Sequence, residues 1–320
     1  MFYFLLKSYN GPTQANYQHS CIVFAEGLIK INIPFKSNID YFPNESEIFL
    51  FQKDVIKKET IYIVTAHPED FTEDIIRLKA EGKTIVIFDS KDEWIRPQST
   101  NLLYLAHRYF MTSSNITTKI IKPLCFAISN RMIEIVTAQK KRPWSARSEE
   151  IFWAHRVTNH RLRNIIKDFY DKKAIGYHTH LDNFTAPDTS IHYWNHTGRR
   201  HNPEYFAELQ KYKYIDAHGG YDTKDGRIVQ WDSWKVWEGF LSGMLVITAD
   251  LDFYKINLPY DLQPYVHYIP IRYTNIEESY AKFESIPDKK REEIALNGHR
   301  YVLENFCPEA ISKFIMKELE

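Results

Sequence analysis

The run Lys211-Tyr-Lys-Tyr-Ile-Asp-Ala-His218, followed by Gly219, Gly220 and Asp225-Gly-Arg227, reads as a buried strand opening into a glycine-rich loop. A helix follows over Trp234–Leu241, with Ser233 and Lys235 at its start and Glu238 one turn further in. Such a loop and helix N-terminus present backbone N–H groups to an anion, and a nearby lysine adds the charge a pyrophosphate requires. Glu238 has the oxygens to accept both hydroxyls of a ribose. His218, Gly219, Ser233, Lys235 and Glu238 are therefore the expected nucleotide contacts. The competing reading is an ordinary strand–loop–helix joint, which every α/β domain contains.

A second basic joint strengthens the ligand reading. Arg156, Thr158, Arg161 and Arg163 flank the opening of another helix, and guanidinium groups suit phosphate oxygens because they donate in a planar fork. Cations at a helix N-terminus oppose its dipole, so the cluster is mildly unfavourable unless an anion joins it.

Asp89, Asp92 and Glu93 follow the apolar run Thr84–Phe88, which places carboxylates at the carboxyl end of a strand. They can serve as a proton acceptor or simply as turn and cap residues. Asp40, after Ser37-Asn-Ile39, and His19 are rival bases. His178-Thr-His180 with Asp182 offers alternate residues on one strand face, a pattern able to start a metal site, although satisfied structural histidines are the commoner use. His67, His192, His196 and His201 add to the histidine count. Asp250-Leu-Asp252 matches a three-residue acidic pattern that holds a divalent metal in some transferases, but such triplets are frequent by chance. Trp231, Trp234 and Trp237 read as core.

These groups need a scaffold. The chain has 320 residues, 44% of them hydrophobic, with 41 basic against 41 acidic side chains, which fits about two globular domains and gives no overall attraction for nucleic acid or an anionic membrane. Cys21, Cys125 and Cys307 are too scattered for a disulfide framework or a zinc knuckle. The N-terminal apolar run is too short for a signal segment, and no stretch is long enough to span a bilayer, so a cytoplasmic protein is expected.

Strands are expected at Phe2–Leu6, Glu47–Phe51, Thr60–Thr65, Thr84–Phe88 and Tyr109–Thr112, alternating with helices at Ala15–Ile31, Phe71–Lys79, Ser99–His107 and Asn130–Ala138. After the charged, proline-containing stretch Gln139–Arg147 the alternation restarts. Strands are then expected at Ile151–Ala154, Ala174–Tyr177, Tyr212–Ala217, Met244–Thr248 and Val266–Ile271. Helices fall at Leu162–Phe169, Pro203–Leu209, Trp234–Leu241 and Pro308–Leu319. The expected organisation is α/β with two Rossmann-like lobes, 1–142 and 143–303, and a C-terminal helix, 304–320, returning to the first. Open α/β sheets bind ligands at the carboxyl ends of their strands.

Residues 212–253 resemble the nucleotide-sugar site of GT-B glycosyltransferases, in particular the exostosin-like and protein O-glucosyltransferase-like groups. The likeness lies in the strand ending in acidic and glycine residues, the Ser-Trp-Lys helix start and the Gly243-Met-Leu-Val-Ile247 strand. Ile151-Phe-Trp-Ala-His-Arg-Val-Thr-Asn-His-Arg-Leu-Arg163 is similar to the opening of the same families' donor domain. A weaker likeness covers Ala25–Leu28 through Ser37–Asp40, and Phe88–Trp94. Lys235 stands where arginine is commoner. The resemblance implies a GT-B fold with a cleft and a nucleotide-sugar donor in the second lobe. It further implies a glycan, lipid-linked or protein acceptor, no metal cofactor, and diphosphate held by Arg156, Arg161, Lys235 and loop N–H groups; the charge balance and the lack of a DNA-reading motif lead to no nucleic-acid partner being expected. Inversion would need a first-lobe base, Asp92, Glu93, Asp89 or Asp40. The alternatives are a metal-dependent hydrolase built on His178 and His180, or a non-catalytic two-lobed sugar- or nucleotide-binding protein.

Overall fold

The computed structural model describes residues 1–7, 18–38, 56–66, 68–90, 100–153, 155, 160–178, 202–220 and 228–320. Six strands form one sheet in the order β2-β1-β3-β4-β5-β6, every neighbouring pair parallel: β1 (Phe2–Phe4), β2 (Phe35–Ser37), β3 (Tyr62–Thr65), β4 (Thr84–Asp89), β5 (Arg108–Met111) and β6 (Ile121–Pro123). A second parallel sheet has the order β11-β10-β9-β7-β8. Its strands are β7 (Ser148–Phe152), β8 (Tyr177–His178), β9 (Tyr212–Asp216), β10 (Leu245–Ala249) and β11 (Ile269–Ile271). Counted from its own first strand, the first sheet runs 2-1-3-4-5-6 and the second 2-1-3-4-5, both doubly wound orders. Crossovers leave in opposite directions on either side of the first strand, and a crevice opens there. In the second lobe that point lies between β7 and β9.

The sheets are parallel because the strands are apolar on both faces and helices cover each side. Ile85, Val86, Ile87 and Phe88 of β4 are all buried. Along β1, Phe2 and Phe4 pack into one core and Tyr3 into another, as the period of two requires. The helices are α1 (His19–Lys30), α2 (Thr72–Ala80), α3 (Asn130–Thr137), α4 (Arg161–Lys173), α5 (Pro203–Leu209), α6 (Trp234–Leu241), α7 (Ile276–Glu284), α8 (Asp288–Asn305) and α9 (Pro308–Leu319).

The last helix lies on the first. A Cβ on Gly27 of α1 would sit 2.0 Å from the Pro308 carbonyl, and Ser312 Oγ donates to the Phe24 carbonyl at 2.9 Å. One contiguous core therefore runs from β1 through α9 to Trp237 and Phe306. Between the sheets, α3 touches both sides. The Asn130 N–H donates to Glu26 of α1 at 2.8 Å, and Gln210 Nε2, just after α5, donates to Gln139 at 2.9 Å.

Several elements differ from expectation. In the described part of the helix expected at Ser99–His107 the chain forms a 3-10 turn, Thr100–Leu105, not an α-helix. Helix α4 runs on to Lys173 and closes on Ala174 at φ 53°, so β8 begins only at Tyr177. The strand expected from Val266 starts at Ile269. The short β2 and β6, and the helices α7 and α8, lie beyond the expected set, and Glu47–Phe51 falls outside the described residues. Among the described residues no helix is long and apolar enough to cross a membrane.

Candidate functional site

Strand β9 is buried throughout and ends at Asp216; the chain then continues through Ala217, His218, Gly219 and Gly220. Close approach constrains both glycines, Gly219 against backbone and Gly220 against side chains. A Cβ on Gly219 would stand 1.7 Å from the Gln230 carbonyl oxygen, and one on Gly220 would stand 2.6 Å from His160 Nδ1. The Gly220 N–H donates to Gln230 Oε1 at 2.9 Å, which fixes the loop against the segment leading into α6.

That segment is held by the first lobe. Ser113 Oγ accepts the backbone N–H groups of Trp231 and Asp232 at 3.0 and 2.9 Å. The buried Asp232 carboxylate accepts the Phe126 N–H and the Trp237 indole N–H, both at 2.6 Å. Trp234, the first residue of α6, stacks on Phe126 with centroids 4.5 Å apart, and His19 meets its edge at 4.2 Å. Because α1 and α6 each begin at the carboxyl edge of their sheet, this contact sets the two carboxyl edges facing one another. His19, considered above as a rival base, is thus a buried ring in the seam between the lobes.

The centre of the second-lobe edge is Asp216, fully buried and surrounded by donors. Tyr170 O–H donates to Oδ2 at 2.7 Å, and His155 Nε2 lies 3.0 Å from Oδ1. The backbone N–H of His218 donates to Oδ1 at 3.3 Å, and its ring Nε2 is 3.3 Å from Oδ2. The Tyr273 hydroxyl is 2.7 Å from His218 Nδ1. Burial alone would raise the Asp216 pKa. The His218 imidazole and the His155 hydrogen bond outweigh it and bring the carboxyl down to about 2. For His155 the balance goes the other way. Burial drives its pKa down to about 3 against the hydrogen bond to Asp216, helped by the charges of Lys235 and Arg163. The pair is thus a carboxylate and a neutral imidazole.

Those two cations mark the edge as positive. Lys235 sits in the first turn of α6 and Arg163 in the first turn of α4, and neither turn contains an acidic residue. Arg161 is exposed at the first position of α4. Ser233 is the N-cap of α6, but its hydroxyl makes no capping bond and is buried without a hydrogen-bond partner among the described residues. The arrangement of two basic helix starts beside a glycine loop suits an anion with several oxygens. Arg156 and Thr158 lie outside the described residues.

The other expected residues are placed as follows. Glu238 is buried, its Oε2 accepting the Tyr205 hydroxyl of α5 at 2.6 Å. Asp89 is buried at the end of β4 and accepts the Tyr109 hydroxyl at 2.5 Å, while Asp92, Glu93 and Asp40 lie outside the described residues. Asp250 accepts the Phe253 N–H at 3.1 Å and pairs with Arg272 at 2.7 Å, whereas Asp252 is exposed. The Asp250 carboxylate is thereby engaged within the protein. His178 stacks on Tyr212 at 5.1 Å; His180, Asp182, His67, His192, His196 and His201 lie outside the described residues. Among the described residues no group of three His, Cys, Asp or Glu side chains is placed to hold a metal.

Sequence reasoning did not single out His155, Asp216, Tyr170 or Tyr273. The acid closing the apolar run Tyr212–Ile215 was the available signal for Asp216. The other three come from separate elements, which only the fold brings together.

Two doubly wound parallel sheets, joined by a short segment, with the last helix returning to the first lobe, define the GT-B fold of two Rossmann-like domains. Solved structures agree over the full length. An alpha-glucosyltransferase in complex with UDP and a 13-mer DNA containing an HMU base is similar at a TM-score of 0.64 and 9% identity, with 100% of this chain and 99% of that one covered. Anabaena HepE in complex with UDP is similar at 0.53 and 11%, covering 100% and 99%. A glycosyltransferase from Rickettsia africae is similar at 0.54 and 8%, covering 99% and 97%. No protein-family model and no curated protein matches the chain.

Proposed function

We propose that this protein is a glycosyltransferase that takes a sugar from a nucleotide diphosphate donor, held at the carboxyl edge of the second sheet, and passes it to a hydroxyl acceptor. The observation that carries the reading is the meeting of Lys235, Arg163 and the Asp216 cluster at the crevice between β7 and β9 of a GT-B fold. UDP is the nucleotide to try first, since HepE and the alpha-glucosyltransferase were each solved with it.

Departure of a nucleoside diphosphate builds negative charge on the leaving oxygen. Preorganised cations and N–H dipoles are the means of stabilising it, and in a water-poor site they act strongly. Arg156, Arg161, Arg163 and Lys235 supply the charge in this proposal, with Thr158, His218, Gly219 and Ser233 as further donor contacts and no metal needed. The acceptor hydroxyl loses its proton to a first-lobe carboxylate, from among Asp92, Glu93, Asp89 and Asp40, with inversion at the anomeric carbon. The acceptor is a glycan, lipid-linked or protein hydroxyl, and the balanced charge of the chain gives no general attraction for DNA. A cytoplasmic enzyme of glycan biosynthesis, affiliated with the exostosin-like and protein O-glucosyltransferase-like groups and divided near residues 142 and 303, completes the proposal.

The test is binding of UDP and of uridine by calorimetry, for the native chain and Lys235→Ala. Loss of a charge-assisted contact should weaken UDP by roughly 10-fold or more and leave uridine within about twofold. Equal weakening of both ligands would remove Lys235 from the phosphate, and absence of UDP binding by the native chain would remove the uridine nucleotide from the proposal.

A further inference from the structure

His155 occupies an unusual position at this edge. It follows β7 by three residues, is 2% exposed, and lies at the crevice where the two directions of crossover part. Its Nε2 faces the Asp216 carboxylate at 3.0 Å. An ionised carboxylate only accepts hydrogen bonds, so Nε2 must carry the proton. In a neutral imidazole the other nitrogen then presents a lone pair. That atom, Nδ1, is buried and has no hydrogen-bond partner among the described residues. Trp153 meets the ring edge-on at 4.7 Å and 74°, which fixes its plane. Buried polar atoms are ordinarily paired, and an orphan next to a cationic site asks for an explanation.

The chemistry of the missing partner follows from the lone pair. Phosphate oxygens have no hydrogen to give, and an acceptor beside them is repulsive, so Nδ1 is not a diphosphate contact. A hydroxyl is suitable, and a nucleotide sugar carries hydroxyls on both sides of its diphosphate, on the ribose and on the transferred sugar. We propose that His155 Nδ1 accepts a hydrogen bond from one donor hydroxyl next to the diphosphate, and that Asp216 is the positioning residue that keeps the acceptor nitrogen turned to it. Lys235 and Arg163 then take the phosphates while His155 reads the sugar. Burial and the two cations keep the ring neutral, so the contact persists across the physiological pH range.

This inference rests on the proposed function, and its test separates the two. Binding of UDP and UDP-glucose is compared with their singly deoxy and deoxyfluoro analogues at the ribose 2′ and 3′ and the glucose 2 and 3 positions. The comparison uses the native chain, His155→Phe and Asp216→Asn. In the native chain one position should cost roughly 10- to 100-fold on removal of the hydroxyl, with fluorine, which cannot donate, no better than hydrogen. In His155→Phe the parent and that analogue should bind within about twofold of each other. Asp216→Asn frees the imidazole proton to occupy either nitrogen, so discrimination at the same position should fall to a few-fold. Should His155→Phe fail to fold, the Asp216→Asn comparison decides alone. A histidine with only a structural role would weaken all ligands alike in the variants and leave the analogue ratio unchanged, and that result overturns the proposal. So does a native chain that binds UDP and UDP-glucose yet tolerates every deletion. If neither parent ligand binds, it is the donor reading that fails.

Discussion

Replacing His155 by asparagine should remove a specific part of the protein's acid sensitivity. The asparagine amide can still donate to Asp216 but does not titrate near neutrality. In the folded chain the imidazole has a pKa near 3, against 6.5 when free, because it is buried beside Lys235 and Arg163. Below pH 6.5 the unfolded chain therefore binds a proton that the folded chain refuses. Above 6.5 the group has no effect on stability; from 6.5 down towards 3 it destabilises the fold increasingly. One proton of difference is worth about 1.4 kcal/mol per pH unit, so lowering the pH from 7 to 5 should cost the native chain about 2 kcal/mol through this residue. Asp216 works in a different window. Its pKa is lowered from 3.8 to about 2, so its contribution is complete above 3.8 and is lost only as pH falls towards 2. It is silent between 7 and 5. The lowered pKa values of His267 and His299, both driven first by burial, affect the native chain and the variant alike and cancel in the difference. The assay is urea unfolding followed by tryptophan fluorescence at pH 7 and 5. The native chain should lose about 2 kcal/mol more than His155→Asn over that interval. Parallel losses, within about 0.5 kcal/mol, would show that His155 is protonated or exposed in the folded chain and that the neutral-imidazole reading is wrong.

Gly219→Ala should disrupt the loop after β9, because the new Cβ lies 1.7 Å from a backbone oxygen that cannot swing aside. A fall in melting temperature together with loss of UDP binding is expected, and unchanged values for both would mean the loop is not clamped on Gln230. Amide variants of Asp92, Glu93, Asp89 and Asp40 should all keep donor affinity. The one acting as base should lose transfer by roughly 10²- to 10⁴-fold, measured as product formed per unit time. Near-native transfer in all four would place the proton acceptor elsewhere or indicate retention of configuration, which the anomeric signal of the product distinguishes.

The legible part of the fold was the part built from strong local patterns. Continuous apolar runs such as Thr84–Phe88 lie close to the observed strand bounds, since a strand buried on both faces needs no turn signal within it. Strands β2 and β6 have three residues each, too few for any periodicity to show. Helix α8 was illegible for another reason. Only Ile294, Ala295, Gly298 and Val302 of its 18 residues are buried, and the glycine there allows close contact with Phe240 and the His267 carbonyl, so its packing face is small and chemically mixed. At the site, Lys235, Arg163 and the glycine loop could be read because each belongs to one local joint. The pairing of His155 with Asp216, and of both with Tyr170 and Tyr273, joins residues from distant parts of the chain. No local spacing records it.

In the proposed reaction this edge binds a nucleotide sugar, and the bond between its sugar and diphosphate breaks. The direct measurement is release of UDP from UDP-glucose and other UDP-sugars, with a mixture of hydroxyl acceptors and with water alone, by the native chain and by Lys235→Ala. UDP should be released from at least one donor, faster with an acceptor and more slowly in Lys235→Ala. Tight binding of the same donors with no release of UDP under any acceptor would contradict that reaction, leaving a two-lobed protein that holds a nucleotide sugar without transferring it.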